Sequence, residues 1–389
     1  MRAGDVPETV QHHMVEVRRD LHRHPELAFE EVRTAERIMA ELDSIGIPYR
    51  YGGKGSGVIA DLAAPPGAPV IALRADMDAL PGDENTDLPF ASTVEGRMHA
   101  CGHDAHCAMV LGAAHLLAAS PPPLGVRLVF QPAEEKGGGA RTVIAEGCLE
   151  GVSAIFGAHV TQHYSVGEIM VADGVITAQS DRFAIDVRGR GGHGARPHEA
   201  IDAVVITGLL ITALQTLVSR EVDPVHPSVV TIGRVQAGSA PNVIAETAHL
   251  EGSIRTTLPA VRDHLHNGIR RMARAFGELH NARLDVRIDP GYPPVVNTRR
   301  EADLAWQAAA RVVGERGMMS LEHPSMGGED FSFYLQKVPG CYVRFGARGE
   351  GQEYHPLHSP SFDIDEGVLA VGAAFFDQLV RDAVSVYGV

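Results

Sequence analysis

Three apolar segments of the chain each run into residue types that bind metals. Val70 to Leu73 leads to Asp76 and Asp78, Val126 to Phe130 leads to Glu134 and Glu135, and Ala154 to Gly157 leads to His159. Short apolar runs bounded by turn residues read as buried strands. In open α/β sheets, ligands bind beyond the carboxyl ends of the strands. The pattern therefore predicts an α/β domain with a mostly parallel central sheet and one site along its carboxyl edge. Each residue also has an ordinary reading: turn acids, an acidic loop, a packed histidine. The repetition across three strand ends favours a site.

Between the first two of these strands lies His99-Ala100-Cys101-Gly102-His103-Asp104-Ala105-His106, followed by an apolar run, Ala108 to Ala119, that reads as a buried helix. Cys101 and His103 are two apart, so one short loop can point both into one site. A thiolate and an imidazole suit zinc or a neighbouring divalent ion. Asp104 is placed to fix a ligand histidine's tautomer from behind. The plain alternative is a helix N-terminus with solvated histidines. Glu134 and Glu135 are adjacent and cannot easily ligate one ion in the same way. A division of labour is more natural, with one binding metal and the other acting as a base on water. His22 and His24 come just before Pro25, which can open a second helix, and read as solvated helix-end residues. His163 sits in a loop and reads as a decoy. His355 and His358 lie in the loop before the last helix.

A chain of 389 residues can bury a large core, and two domains are the natural expectation. Its net charge of −15 argues against nucleic acid and anionic membrane surfaces. Met1 to Val17 is polar and mixed, so no signal peptide is read there. The longest apolar run, Ala203 to Leu217, is broken by Thr, Gly and Gln and reads as too short and too polar to span a membrane. Cys101, Cys107, Cys148 and Cys341 form no C-x-x-C pair, which points to reduced thiols in the cytoplasm.

The pattern shifts near Ala178. A glycine-rich loop carries His193, a long apolar helix spans Ala200 to Val218, and strands read over Arg182 to Gly189, Ser228 to Val235, His249 to Thr256 and Ala282 to Ile288. Residues 180–290 read as an inserted α+β domain, and 1–179 and 291–389 as the two parts of the domain it interrupts. The insert contributes His193, Asn242 and Arg255. Their ordinary readings are turn residues and a strand-surface charge. Met326-Gly327-Gly328-Glu329-Asp330-Phe331 reads as a glycine turn into a helix, whose backbone N–H groups could hold an anion.

Taken together, Ala72-Leu73-Arg74-Ala75-Asp76-Met77-Asp78-Ala79-Leu80-Pro81, His99 to Asp104, Pro132-Ala133-Glu134-Glu135, His193-Gly194-Ala195-Arg196-Pro197, Met326 to Phe331 and His358 resemble, in order, the dinuclear metallopeptidases and aminoacylases. The resemblance is to the branch of hippurate hydrolases and auxin–amino acid conjugate hydrolases. It implies a zinc-peptidase-like catalytic domain split by a lid or dimerisation domain. It also implies two divalent metal ions bridged by Cys101, with His103 and His159 completing one and Glu135 and His358 the other. Glu134 is then the general base on a metal-bridging water, and His193 donates to the oxyanion. Asn242, Arg255 and the Gly327-Gly328 turn hold the substrate's carboxylate. The implied substrate is a small N-acyl amino acid, and the implied assembly a homodimer or larger. The wider family usually has a histidine ligand where this chain has Asp76, and a bridging aspartate where it has Cys101. Both departures match the named branch, and the thiolate leaves zinc, manganese, cobalt and nickel open.

Two other readings compete. In a cysteine hydrolase, Cys101 would be the nucleophile and His103 its base, which leaves Glu135, His159 and His358 unexplained; activity surviving chelation would favour it. A non-catalytic small-molecule or metal-binding homologue would show a damaged ligand or base, and none is damaged.

Overall fold

The computed structural model describes residues 1–63 and 65–388. These fall into two compact units. One comprises Met1–Ile176, Val295–His323 and Asp330–Val389, the other Thr177–Pro294 and Pro324–Glu329.

The first unit is built on an eight-stranded sheet in the order Tyr49–Tyr51, Val58–Leu62, Gly125–Gln131, Val70–Asp76, Val152–Ser165, Gly340–Arg348, Ile169–Met170, Met318–Met319. The four strands from Gly125–Gln131 to Gly340–Arg348 are mutually parallel. Antiparallel strands extend the sheet on either side. Helices α1 (Glu8–Arg23), α2 (Val32–Ser44) and α3 (His103–Ala119) precede or interrupt the strands. In α3 every residue from His103 to Ala114 is buried. A helix apolar on all sides belongs in the core, and α3 packs against α1, against the Gly367–Tyr387 helix and against the Val70–Asp76 strand.

The strands run further than their apolar segments suggest, because polar residues are buried at their ends. Asp76 and Gln131 are the last residues of their strands and fully buried. The strand expected over Ala154 to Gly157 runs for 14 residues, Val152–Ser165, so His159 lies inside it. Pairing with Val70–Asp76 stops at Gly157, while pairing with Gly340–Arg348 continues through His159. His159 therefore stands where the sheet loses one neighbour. Pro25 does not open the second helix. Residues 24–31 separate α1 from α2, and Leu27 bridges to Ala79 instead.

The second unit has a four-stranded antiparallel sheet, Ser228–Ala237, Thr247–Thr256, Gln179–Arg188 and Arg283–Pro290 in spatial order, with helices Ala203–Glu221 and Pro259–His280. The first helix starts at Ala203 because the Asp202 carboxylate caps it, accepting from Val204 N (2.9 Å) and Val205 N (3.2 Å). At 19 residues it is long and apolar enough to cross a bilayer by length and composition, contrary to the reading of Ala203 to Leu217. Thr207 does not break it, since its hydroxyl donates to Ala203 O at 2.7 Å. Ala203, Ile206, Leu210, Leu214 and Leu217 recur at helical spacing and pack into the core of this unit.

Candidate metal centre

Gly102 shapes the His99–His106 stretch. Its φ is +81°, and a Cβ there would come within 2.3 Å of Val160 Cγ2. Only glycine suits both conditions. The turn it makes ends the segment carrying Cys101 and starts α3 at His103, which thus sits in the first helical turn and not in a loop.

The ligand atoms of Cys101, His103 and His159 lie within 4.8 Å of one another, and so do those of Cys101, Glu135 and His358. Cys101 belongs to both triads. Its Sγ is 3.3 Å from His159 Nε2, and His358 Nε2 is 3.3 Å from Glu135 Oε1. His103 Nδ1 donates to Asp78 O (2.8 Å), and His159 Nδ1 to Val160 O (2.6 Å). Each ring is thereby held with Nε2 facing the cluster, the arrangement that ligand histidines adopt. His103 Nε2 and Glu135 Oε1 are buried without a hydrogen bond. Such atoms are rare in native interiors and call for an explanation. A thiolate, imidazoles and a carboxylate together form a donor set that a divalent cation satisfies.

The electrostatics agree. Burial pushes the Cys101 thiol well above its usual range, and the Glu135 and Glu134 carboxylates push it further. Burial, with His106 close by, pushes His159 well below. Burial opposes the charge on His103, yet Asp76 and Cys101 raise it well above its ordinary value. Glu135 is held low by His358 and His103 against its own burial. These groups cannot all take their ligating forms side by side without positive charge among them, and a bound dication supplies it.

Asp78 organises the adjacent acids. Its two carboxylate oxygens accept the N–H groups of Glu134 and Glu135, each at 3.0 Å. Ala133, just before them, has φ +53°, and its N–H is held by Glu31 Oε1 at 2.8 Å. Burial pushes that Glu31 carboxyl up to about 7. His358 is also left-handed, at φ +68°, with its N–H on Ala100 O at 2.8 Å. A left-handed non-glycine residue costs about 1–2 kcal/mol, and such strain clusters at functional sites. Glu134 is 6% exposed, and its Oε1 accepts from Asp330 N at 3.4 Å.

Asp104 does not touch the His103 ring. It binds His22 Nδ1 at 2.8 Å and faces Arg18 Nε at 3.3 Å; the Asp78 carbonyl does the orienting instead. His22 is accordingly buried, not solvated, and is raised to about 9: burial opposes its charge, and Asp104 and Glu84 outweigh that. His106 accepts from Val160 N at Nε2 and so donates from Nδ1 to Asp76 (2.6 Å), which makes it an anchor. His163 is exposed beside Tyr354. The sequence reading passed over Arg74. Its guanidinium is fully buried and binds Asp76 (2.6 Å), Asp330 (2.9 Å) and Gln131 (2.9 Å), tying the ends of two strands to the segment after Glu329. An arginine within an apolar strand was the available signal.

In the second unit, His193 pairs with Val243, and Gly194 N donates to Asn242 O at 2.9 Å, so His193 and Asn242 lie together. His193 is exposed, and its Nδ1 accepts from Ala195 N (3.0 Å), which leaves Nε2 as a donor. Arg255 lies near the other end of the Thr247–Thr256 strand and donates to Met326 O at 2.7 Å. Thr247 and Arg255 are eight strand steps apart, roughly 26 Å. Before Thr247, Val243–Ile244 pairs with Gly192–His193 as a separate two-stranded sheet, on the side away from Arg255. Asn242 and Arg255 of one chain are therefore not brought together. Gly327 N is already committed to Ser325 Oγ (3.1 Å), and the following helix is only Ser332–Leu335, so the turn offers less to an anion than its sequence suggests. At Gly328 a Cβ would meet Tyr292 Cδ2 at 2.7 Å.

Known proteins resemble this chain over most of its length. The model of peptidase family M20/M25/M40 matches residues 72–382. The chain is 41% identical over 373 residues to the N-acetylcysteine deacetylase of Bacillus subtilis (strain 168), covering 94% of this chain and 95% of the relative. It is 39% identical over 372 residues to IAA-amino acid hydrolase ILR1-like 4 of Arabidopsis thaliana, covering 93% and 83%. The crystal structure of Bacillus subtilis YXEP protein, a dinuclear metal binding peptidase from the M20 family, superposes with a TM-score of 0.85 at 38% identity, covering 97% of this chain and 99% of that one. The chain belongs to peptidase family M20/M25/M40 and is a hydrolase acting on amide bonds.

Proposed function

We propose that the protein removes the acyl group from a small N-acyl amino acid, releasing a carboxylic acid and a free amino acid, with two divalent ions. The observation that carries this is the pair of ligand triads sharing Cys101 beside Glu134. Cys101, His103 and His159 would hold one ion, and Cys101, Glu135 and His358 the other. Bound there, the ions polarise the scissile carbonyl and acidify water. Glu134, fixed by Asp78 through its backbone and by Asp330 at its carboxylate, takes the attacking water's proton and passes it to the leaving amine. His193, with Nε2–H pointing outward, donates to the developing oxyanion. Arg255 and the Gly327-Gly328 turn of one chain, with Asn242 of a second copy, bind the substrate. The named relatives are an N-acetylcysteine deacetylase and an IAA-amino acid hydrolase, which supports this substrate class. A nucleophilic Cys101 is disfavoured, because burial raises a thiol where a nucleophile needs it lowered.

The assembly we propose is a homodimer through the second unit. Val204, Val205 and Leu209 are 46%, 53% and 49% exposed on the Ala203–Glu221 helix. The neighbouring Ser228–Ala237 strand is a sheet edge with Val229 and Val235 exposed. Edge strands with exposed apolar residues invite a second copy. The four cysteines, all buried and free, fit a reducing, cytoplasmic setting.

Two experiments test the chemistry. Chelation should abolish hydrolysis and a divalent ion restore it, while Cys101→Ala should lose bound metal by elemental analysis. Retention of two ions with loss of turnover alone would overturn the ligand role. Masking the substrate's carboxylate as an amide or ester should lower kcat/KM by at least about tenfold, a loss of about 1.4 kcal/mol on the scale of a hydrogen bond to a charged group. An unchanged rate would remove the carboxylate pocket.

A further inference from the structure

The catalytic unit contains a second cluster of ligand-type side chains, away from Cys101. Helix α1 contributes His13, α2 contributes Glu41 and α3 contributes His115. The close approach of α1 and α3 has a sequence cause. A Cβ on Gly112 would lie 2.1 Å from Met14 Sδ, so the glycine leaves room for the Met14 side chain between α1 and α3. His13 is next to Met14, and His115 is one turn beyond Gly112. Their rings meet edge to face with centroids 4.8 Å apart.

Glu41 sits beneath them, 3% exposed. Its Oε1 is bound by Arg37, which turns Oε2 toward the histidines. His13 Nε2 bonds that oxygen. His115 Nε2 is 3.9 Å from the same oxygen, too far for a hydrogen bond, and is buried with no hydrogen-bond partner. The ligand atoms of the three residues lie within 4.8 Å of one another. His115 is twelve residues along α3 from His103, roughly 18 Å of helix, so this is not part of the catalytic cluster.

We propose that His13, Glu41 and His115 form a separate site for a single divalent cation of the zinc, cobalt or nickel class, clamping α1, α2 and α3 together. Two imidazoles and one carboxylate are a common protein contribution to a zinc site that leaves one position for water. Imidazole nitrogen favours these ions over magnesium or calcium. An ion at this position gives His115 Nε2 the partner it lacks, and His13, 30% exposed, leaves a path from solvent.

The test uses the metal-loaded enzyme dialysed against buffered Zn²⁺, with bound zinc counted by elemental analysis. Wild type should hold one more Zn²⁺ per chain than His115→Ala or His13→Ala, with kcat/KM the same in all three. In a competition titration, each variant should bind that extra ion at least about 10–100-fold more weakly, the scale for losing even an outer-shell partner. Equal zinc counts in wild type and both variants would overturn the site and leave a plain histidine–carboxylate hydrogen bond. Crystals of wild type grown with Zn²⁺ give a reading independent of how the variants fold. Anomalous scattering at the zinc edge should peak among the three side chains, and no peak there overturns the proposal.

Discussion

Glu134→Gln is expected to fold, keep both catalytic ions and lose at least about 10²-fold in kcat, the lower end of the usual range for a general base. The geometry favours a clean result. The bond from Glu134 N to Asp78 is a backbone bond and survives the substitution. Gln retains an oxygen to accept from Asp330 N, so position is kept while basicity is lost. Glu135→Gln should behave differently. Its Oε1 is the buried acceptor beside His358 and Cys101, and a neutral amide there is a poor ligand. Metal affinity should fall first, by at least about 10–100-fold, with activity following metal content. Elemental analysis alongside single-turnover rates separates the two. The reverse pattern, with Glu134→Gln shedding metal and Glu135→Gln keeping it, would exchange the roles.

Co-refolding His193→Ala with Glu134→Ala, each nearly inactive alone, is expected to restore about a quarter of wild-type activity. Random pairing yields half mixed dimers, and each mixed dimer has one complete site if His193 acts on the partner. The structure motivates this through the second unit alone. His193 pairs with Val243 before the Thr247–Thr256 strand begins, and Arg255 lies roughly 26 Å of strand beyond Thr247. That separation favours a substrate held by Arg255 of one chain and reached by His193 of a second copy. No recovery would place His193 in its own chain's site. High activity of His193→Ala alone would reduce it to a turn residue.

Much of the catalytic unit was legible along the chain because its signals are local. Apolar runs ending in Asp76, Glu134 and His159 implied a parallel sheet with one chemical edge, and the strands are there. Cys101 and His103, two apart, implied that both enter one site, and their ligand atoms lie together there. The resemblance in motif order named the family that the chain belongs to.

What the linear order could not supply was which side chain each polar group meets. Asp104 is next to His103, yet the helix carries it to His22 and Arg18. Asp78 is 25 residues from His103 and 56 from Glu134, yet it positions both. The physical reason is that a buried donor or acceptor must find a partner, and packing, not sequence adjacency, decides which one is in reach. The same holds for Asn242 and Arg255, thirteen residues apart and seemingly one pocket: Asn242 precedes the Thr247–Thr256 strand and Arg255 lies near its far end. Residue types in order determined the sheet, the metal-ligand chemistry and the family. Only the tertiary structure decided which imidazole nitrogen faces the centre, which acid holds the backbone, and that His13 and His115 meet over Glu41, because each depends on contacts between elements distant in sequence.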